Sequence, residues 1–408
     1  MSTLISRVAT NRAATDTPVI EARSTTRLAD HALLVCVLSL GLFGTAMIAS
    51  ASMAFAEETY NSPFYFVKRQ LIFLCFGFVA GLIIYRVPLS VWERYGPHFI
   101  IASMVCLCLV LVPGIGKEVN GSRRWIDLGF FTIQVSEAVK LFLVVYLAGY
   151  LVRRGHLVQT TFGGFVRPLV LICIASALLL MEPDFGAAVV IALTAMLMLF
   201  VAGVRFSQFA LLTLVLGSSA CLLIFISDYR LRRFVSFLDP FSDPFDTGFQ
   251  LTQSLIAIGS GGLTGLGYGN SVQKLFYLPE AHTDFLFAVL CEELGLLGAF
   301  GLILIYAYVV WRCFYLFKLA DAQNSRFAGF VALGIGIWIG LQSFINMGVN
   351  LGILPTKGIT LPLMSYGGSS AVVFAVAFGM LLRVEWELKQ NVLISLRASK
   401  ETRTGGLS

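Results

Sequence analysis

Apolar runs close to the ~20 residues that a helix needs to cross a bilayer recur along the whole chain. They fall at approximately 31–54, 69–87, 97–113, 136–152, 167–181, 186–203, 207–227, 284–311, 328–350 and 369–388, separated by charged, glycine-bearing or proline-bearing connections. The pattern predicts an all-α, polytopic integral membrane protein with about ten transmembrane helices. Most connections are short, but residues 114–135 and 228–283 form long outward loops, the second lying between the seventh and eighth spans. Long loops of this kind are where function is expected. Within the larger one, the apolar stretch Phe249 to Ile258 is too short to span and is followed by a glycine-dense segment, Gly259 to Gly269. A re-entrant or interfacial helix with a hinge fits that order.

Composition agrees with a membrane class. Of 408 residues, 57% are apolar and only 13% charged, whereas soluble domains carry about 25% charge. Residues 1–28 read as a disordered cytosolic tail, 29–390 as the membrane domain and 391–408 as a cytosolic C-terminal tail. With ten spans both termini share one side, which holds eighteen Lys and Arg against eight Asp and Glu. The positive-inside rule makes that side cytoplasmic. The net charge of +6 is thereby explained by topology and requires no nucleic acid, for which no basic stripe interleaved with aromatics exists. The eight cysteines lie in or beside apolar runs without a CxxC pair, and the four histidines are scattered, so no protein-only metal cage is expected. Gly259 to Gly269 lacks the GxGxxG spacing after a strand, and Lys117 is followed by Glu118 where a phosphate loop needs Ser or Thr, which removes a nucleotide site.

Charges held against hydrocarbon cost ~2.5–3.5 kcal/mol and need a reason to be there. Leu278-Pro-Glu-Ala-His-Thr-Asp-Phe285 gathers Glu280, His282 and Asp284 where the large loop enters the eighth span. Asp284 is the leading candidate for chemistry; helix capping by Thr283 or Asp284 is the competing explanation. In Gln134-Val-Ser-Glu-Ala-Val-Lys140, Glu137 and Lys140 share a helical face at i,i+3, either as a simple ion pair or with Lys140 facing a polar cavity. Arg123 and Arg124 beside Trp125 suit a headgroup anchor or a substrate contact alike. Arg230, Arg232 and Arg233 lie on the side where positive charge is normally sparse and favour an anionic partner. Lys274 in the large loop, and Lys357, Ser365 and Ser369 in the last outward loop, complete the substrate-binding candidates. Glu292 and Glu293 could line a cavity.

Three motifs in order resemble one family. They are Asn120-Gly-Ser-Arg-Arg-Trp-Ile with Gln134-x-Ser-Glu-x-x-Lys140, Tyr277-Leu-Pro-Glu-Ala-His-Thr-Asp-Phe285, and Leu354-Pro-Thr-Lys-Gly through Met364-Ser-Tyr-Gly-Gly-Ser-Ser370. Together they resemble the SEDS proteins (shape, elongation, division and sporulation) from about residue 30 to 390, and the cell-division branch more than the elongation branch. Val135 departs from the family's usual QPSE wording. The resemblance implies a peptidoglycan glycosyltransferase that polymerises lipid II on the outer face of the bacterial cytoplasmic membrane. It also implies a class B penicillin-binding protein as partner, other divisome membrane proteins nearby, and a place at the septum. Asp284 takes the catalytic position of the family's HTDF motif. The expected chemistry is inverting attack by the acceptor's 4-hydroxyl, with Asp284 as base and Arg123, Arg124, Lys140 and Arg232 neutralising the departing undecaprenyl pyrophosphate. That scheme has no cofactor in the chain itself and leaves room for a divalent cation, Mg²⁺ or Mn²⁺, held mainly by the substrate's phosphates. A lipid II flippase and a non-catalytic division scaffold are the rival classes.

Overall fold

The computed structural model describes residues 32–119, 121–127, 129, 132–226, 228–242, 248–356 and 358–405. The tail expected over 1–28 lies outside the described residues. The ten expected spans correspond in order to α1 (Ala32–Tyr60), α2 (Tyr65–Arg86), α3 (Leu89–Leu111), α4 (Val135–Thr160), α5 (Phe162–Met181), α6 (Phe185–Val201), α7 (Phe206–Phe225), α10 (Leu286–Ala322), α11 (Arg326–Asn350) and α12 (Gly368–Gly405). Among the described residues, α1 to α5, α10 and α11 are long and apolar enough to cross a membrane. Helix α6 and the first part of α7 are shorter apolar helices. The segment expected as a C-terminal tail continues α12 as helix to Gly405.

Burial sorts the helices by role. Helices α4 and α11 are enclosed by the bundle over most of their length, whereas α2, α3, α5 and α10 leave most of theirs to lipid. Polar side chains on α4 and α11 therefore face protein, where partners exist, and avoid hydrocarbon. The most extensive helix pair, α2 with α12, closes through small residues. A Cβ on Gly379 would lie 2.3 Å from the Gly81 carbonyl oxygen, so only glycine lets the two backbones approach this far.

The two long loops depart from the all-α expectation. Residues 116–134 form a three-stranded antiparallel sheet of β1 (Gly116–Val119), β2 (Ser122–Asp127) and β3 (Thr132–Gln134), in the order β1-β2-β3. An Asn-Gly dipeptide at 120–121 joins the first two strands, and Gly121 takes φ +73°, the left-handed backbone that hairpin turns of this length demand. The large loop carries α8 (Asp228–Leu238) and α9 (Phe249–Gly261). Helix α9 matches the short helix expected there.

Helix α10 is broken at Gly295, with φ +65° and ψ −163°. The buried piece Leu286–Leu294 precedes the break, and the long apolar piece follows it. Backbone groups freed by the break pair with the glycine-dense segment. Leu266 N donates to Glu292 O and Gly267 N to Glu293 O, each at 2.9 Å, while Leu296 N and Leu297 N donate to Gly262 O and Leu263 O at 3.0 and 3.1 Å. The glycines serve this close approach. A Cβ on Gly265 would sit 2.1 Å from Glu293 O, and its φ is +79°. Gly265→Ala is therefore expected to lower stability by about 1–3 kcal/mol through overpacking and backbone strain. Gly259→Ala, which meets nothing within 4 Å, should leave the melting temperature unchanged or raise it; thermal unfolding in detergent compares the two.

Candidate active site

The described residues of the loops 113–134, 226–285 and 351–367 meet at one end of the bundle around a cavity of about 960 Å³. Its charged lining is Arg69, Arg124, Arg233, Lys274, Glu280 and Asp284, with His282 and Ser369 also on the wall. Asp284 lies in the irregular segment before α10. Glu280 takes a left-handed φ of +57°, and its carbonyl accepts from Thr283 N at 3.1 Å and Phe285 N at 3.3 Å. That turn delivers Asp284 to the cavity. From α11, Asn346 Nδ2 and Asn350 Nδ2 donate to the Asp284 carbonyl at 2.9 and 3.0 Å.

Capping does not explain this aspartate. The N-cap of α10 is Phe285, with no side-chain cap hydrogen bond. The Asp284 carboxylate faces the cavity without a hydrogen bond from the described residues, against Gly358, whose Cβ, if it had one, would lie 3.0 Å from Asp284 Oδ2. Burial pushes its carboxyl up to about 7, helped by Glu280 and Asp184 and opposed by Arg124. A carboxyl that titrates near neutrality and is not committed to a structural bond suits proton transfer.

Strand alternation separates the two arginines of β2. Arg124 lines the cavity while its Nε and Nη2 donate to the carbonyls of Glu182 and Pro183 at 3.2 and 2.5 Å. Arg123 is instead half-buried off the cavity wall and pairs with Glu118 at 3.0 Å. Arg232 is exposed, and its neighbour Arg233 lines the cavity. Lys274 lines the wall, but its ammonium donates to Glu293 and Ser50 at 2.8 Å and to the Gly269 carbonyl at 2.6 Å. Three donors with three partners make it a strut first.

Several candidates sit elsewhere. Glu137 and Lys140 pair at 2.7 Å inside the bundle, where Lys140 also donates to Gln342 at 2.9 Å; neither is among the cavity's lining residues. Ser365 is buried off the wall and accepts from Leu361 N at 3.0 Å. Ser369 joins β3 to α12, accepting from Gln134 N at 2.9 Å and donating to Thr132 O at 3.0 Å. His282 packs among Phe55, Phe66 and Tyr366, with ring centroids 4.3 Å apart at Phe66. Burial lowers its pKa against the pull of Glu280, which makes it a poor cation at neutral pH. Lys357 lies outside the described residues. Glu292 and Glu293 hold the loop: Glu292 Oε1 accepts from Val272 N at 2.9 Å and its other oxygen from the Ser271 hydroxyl.

Sequence reasoning missed Arg69, Asn346 and Asn350. Arg69 lines the cavity from α2 and donates to the Tyr65 hydroxyl at 2.9 Å. Like Arg232, it lies on the side where cations are sparse, and that signal was readable. The asparagines belong to an i, i+4, i+8 amide series, Gln342, Asn346 and Asn350, on an otherwise apolar span, a helical stripe that marks one face.

Helices that cross a membrane, a polar cavity at one end and an uncommitted carboxylate among arginines define a polytopic membrane protein with an active-site-like chamber on one face. The chain belongs to the FtsW/RodA/SpoVE family of cell cycle proteins, which it matches over residues 30–390. It is 51% identical over 362 residues to the probable peptidoglycan glycosyltransferase FtsW of Thioalkalivibrio sulfidiphilus, covering 89% of this chain and 90% of that one. Identity to the protein of the same name from Methylococcus capsulatus is 52%, over 89% and 92% of the two chains. Among solved structures, a chain from work described as structural coordination of polymerization and crosslinking by a peptidoglycan synthase complex superposes with TM-score 0.73 at 28% identity, covering 88% of this chain and 98% of its own. The rod shape determining protein RodA of Thermus thermophilus gives TM-score 0.65 at 28% identity, with 87% and 96% covered.

The strut reading of Lys274 has a direct consequence. Its side chain is 10% exposed and that of Glu293 fully buried, so Lys274→Ala leaves an uncompensated buried carboxylate and should cost about 3–5 kcal/mol. Thermal unfolding checks this; an unchanged melting temperature would return Lys274 to the role of a free anion ligand.

Proposed function

We propose that this chain is a peptidoglycan glycosyltransferase that polymerises lipid II during septal cell-wall synthesis. The observation that carries the reading is the Asp284 carboxylate, pushed up to about 7 by burial and left without a structural bond, in a cavity that Arg69 and Arg124 also line. Among the described residues neither arginine forms an ion pair within the chain. A substrate carrying a pyrophosphate supplies the anion that these cations lack.

Asp284 accepts the proton of the acceptor sugar's 4-hydroxyl as that oxygen attacks the donor's anomeric carbon. The new glycosidic bond forms as the bond to the pyrophosphate oxygen breaks, and undecaprenyl pyrophosphate leaves with the electron pair. One displacement inverts the anomeric centre. A pyrophosphate leaves without protonation, so the second carboxyl that a glycosidase needs for an alkoxide is unnecessary. Arg124 and Arg69 stand where negative charge develops, taking over from Arg123, Lys140 and Arg232 in the scheme expected from the sequence. Among the described residues no three His, Cys, Asp or Glu side chains gather to hold a metal ion. A divalent cation would ride on the substrate's phosphates, and the steps above use the chain's own groups alone.

The protein works in the bacterial cytoplasmic membrane with both termini inside, beside a class B penicillin-binding protein and other divisome membrane proteins. The likeness to a chain of a peptidoglycan synthase complex supports a crosslinking partner of this kind. Purified protein with a transpeptidase-inactive, non-polymerising partner should convert lipid II to glycan polymer. The base must be ionised, so kcat/KM should fall tenfold per pH unit below an apparent pKa near 7 and be flat above it. An absence of polymer, or an acid limb near the ordinary carboxylate range of about 4, would contradict the reading. Arg124→Ala should reduce the rate about 100-fold or more.

A further inference from the structure

The amide stripe on α11 reaches backbone carbonyls of two other segments, with Asn350 Nδ2 also donating to Asn346 O of its own helix at 2.8 Å. Gln342 Nε2 donates to Thr360 O at 3.0 Å. Asn346 Nδ2 bridges Ile359 O at 2.6 Å and Asp284 O at 2.9 Å. Asn350 Nδ2 donates to Asp284 O at 3.0 Å, while its Oδ1 accepts from Ala288 N at 3.1 Å. In a regular helix the Ala288 N–H would donate to the Asp284 carbonyl four residues back. Asn350 stands between those two groups and bonds both, sharing the Ala288 N–H with the Phe285 carbonyl at 3.0 Å, so its amide splices into what would be the first turn of α10. Asp284 is thereby kept outside the helix.

Asn346 sets the other coordinate. The segment that it ties to Asp284 is the wall that faces the carboxylate, since Gly358 adjoins Ile359 and a Cβ there would lie 3.0 Å from Asp284 Oδ2. One buried amide thus fixes the distance between the base and its wall. Both asparagines are buried, in surroundings where losing an amide leaves carbonyls without partners.

We propose that Asn346 and Asn350 are positioning residues for the glycosyl transfer: Asn350 holds Asp284 out of α10 by bonding its carbonyl and sharing the Ala288 N–H that a longer helix would give it, and Asn346 sets the width of the slot that shelters the carboxylate. This rests on Asp284 being the base. Without the Asn350 amide, the Ala288 N–H shifts from the Phe285 carbonyl to the Asp284 carbonyl, α10 winds back by a residue and the carboxylate swings away from the acceptor hydroxyl. Without the Asn346 amide the slot opens to water. Among the described residues, the charged groups that act on Asp284 are Arg124 from β2, Asp184 from the turn before α6 and Glu280 from its own segment. The residues that α11 brings to Asp284 are neutral amides, so its effect comes through geometry and access of water.

The test uses full-length native protein with its partner, the variants Asn346→Leu and Asn350→Leu, and the gentler Asn346→Ser, each isolated as the folded monodisperse fraction. Two readouts are taken: kcat and KM for lipid II polymerisation, and the pH of half-maximal modification of Asp284 by a hydrophobic carbodiimide, followed by mass spectrometry. The second reads the protonated carboxyl without turnover. Loss of at least ~10-fold in kcat with KM within ~2-fold is expected, together with a labelling midpoint lowered by about one pH unit as water enters and desolvation weakens. Native-like kcat and midpoint would overturn the proposal. So would an activity loss that follows the melting temperature while the midpoint stays in place. If Asp284→Asn polymerises like the native protein, the base assignment falls and this proposal with it; if Asp284→Asn is inactive and the asparagine variants behave as native, only the positioning role falls.

Discussion

A polypeptide that leaves its helix inside an apolar bundle must find hydrogen-bond partners in the protein, because neither lipid nor solvent supplies them. The break at Gly295 in α10 poses that demand, and the glycine-dense segment meets it with four backbone bonds across the gap. This pairing helps to place Lys274 on the cavity's wall. It lays residues 262–267 along 292–297, and the Glu292 and Glu293 side chains then hold residues 271–274. It also leaves Leu286–Leu294 as a short buried helix whose entry carries Asp284.

The same economy of partners separates the cavity's chemistry from its scaffolding. Lys140 and Lys274 are each matched by a buried glutamate at 2.7 and 2.8 Å, so their charge is largely neutralised within the fold. Arg69 and Arg124 find hydroxyl and carbonyl acceptors and no counter-ion among the described residues, which leaves their charge for a ligand. Asp284 is the complement: its carbonyl is bound twice and its carboxylate by nothing among the described residues. Backbone held firmly and side chain left uncommitted is the arrangement that proton transfer needs.

The apolar periodicity located the helices of all ten expected spans in order, because a bilayer-crossing helix writes its length into the chain, but α1, α3, α4, α10 and α12 run 6 to 17 residues past an expected end, in turns too polar for the apolar pattern. Asp284 was legible for a similar reason, as an acid where a long loop meets hydrocarbon. Other features depended on contacts that no local pattern records. Lys274 looked like a free cation because Glu293 lies 19 residues away and Ser50 is 224 residues away. Arg123 and Arg124 read alike until β2 turned them to opposite faces. The sheet itself carried a signal in its Asn-Gly turn, outweighed by the helical character of the rest of the chain. Gln342, Asn346 and Asn350 were visible as a stripe, but what the stripe held was not, since its partners come from residues 284 and 359–360.

The central claim is that Asp284 does chemistry and leaves binding to others. Single-turnover transfer from lipid II under partner-saturated conditions, with equilibrium lipid II binding measured on the same samples, separates the two for native protein and Asp284→Asn. The account predicts a Kd within about twofold of native and a transfer step slower by about 100-fold or more. Equal transfer by both proteins, or a loss explained wholly by weaker binding, would contradict it.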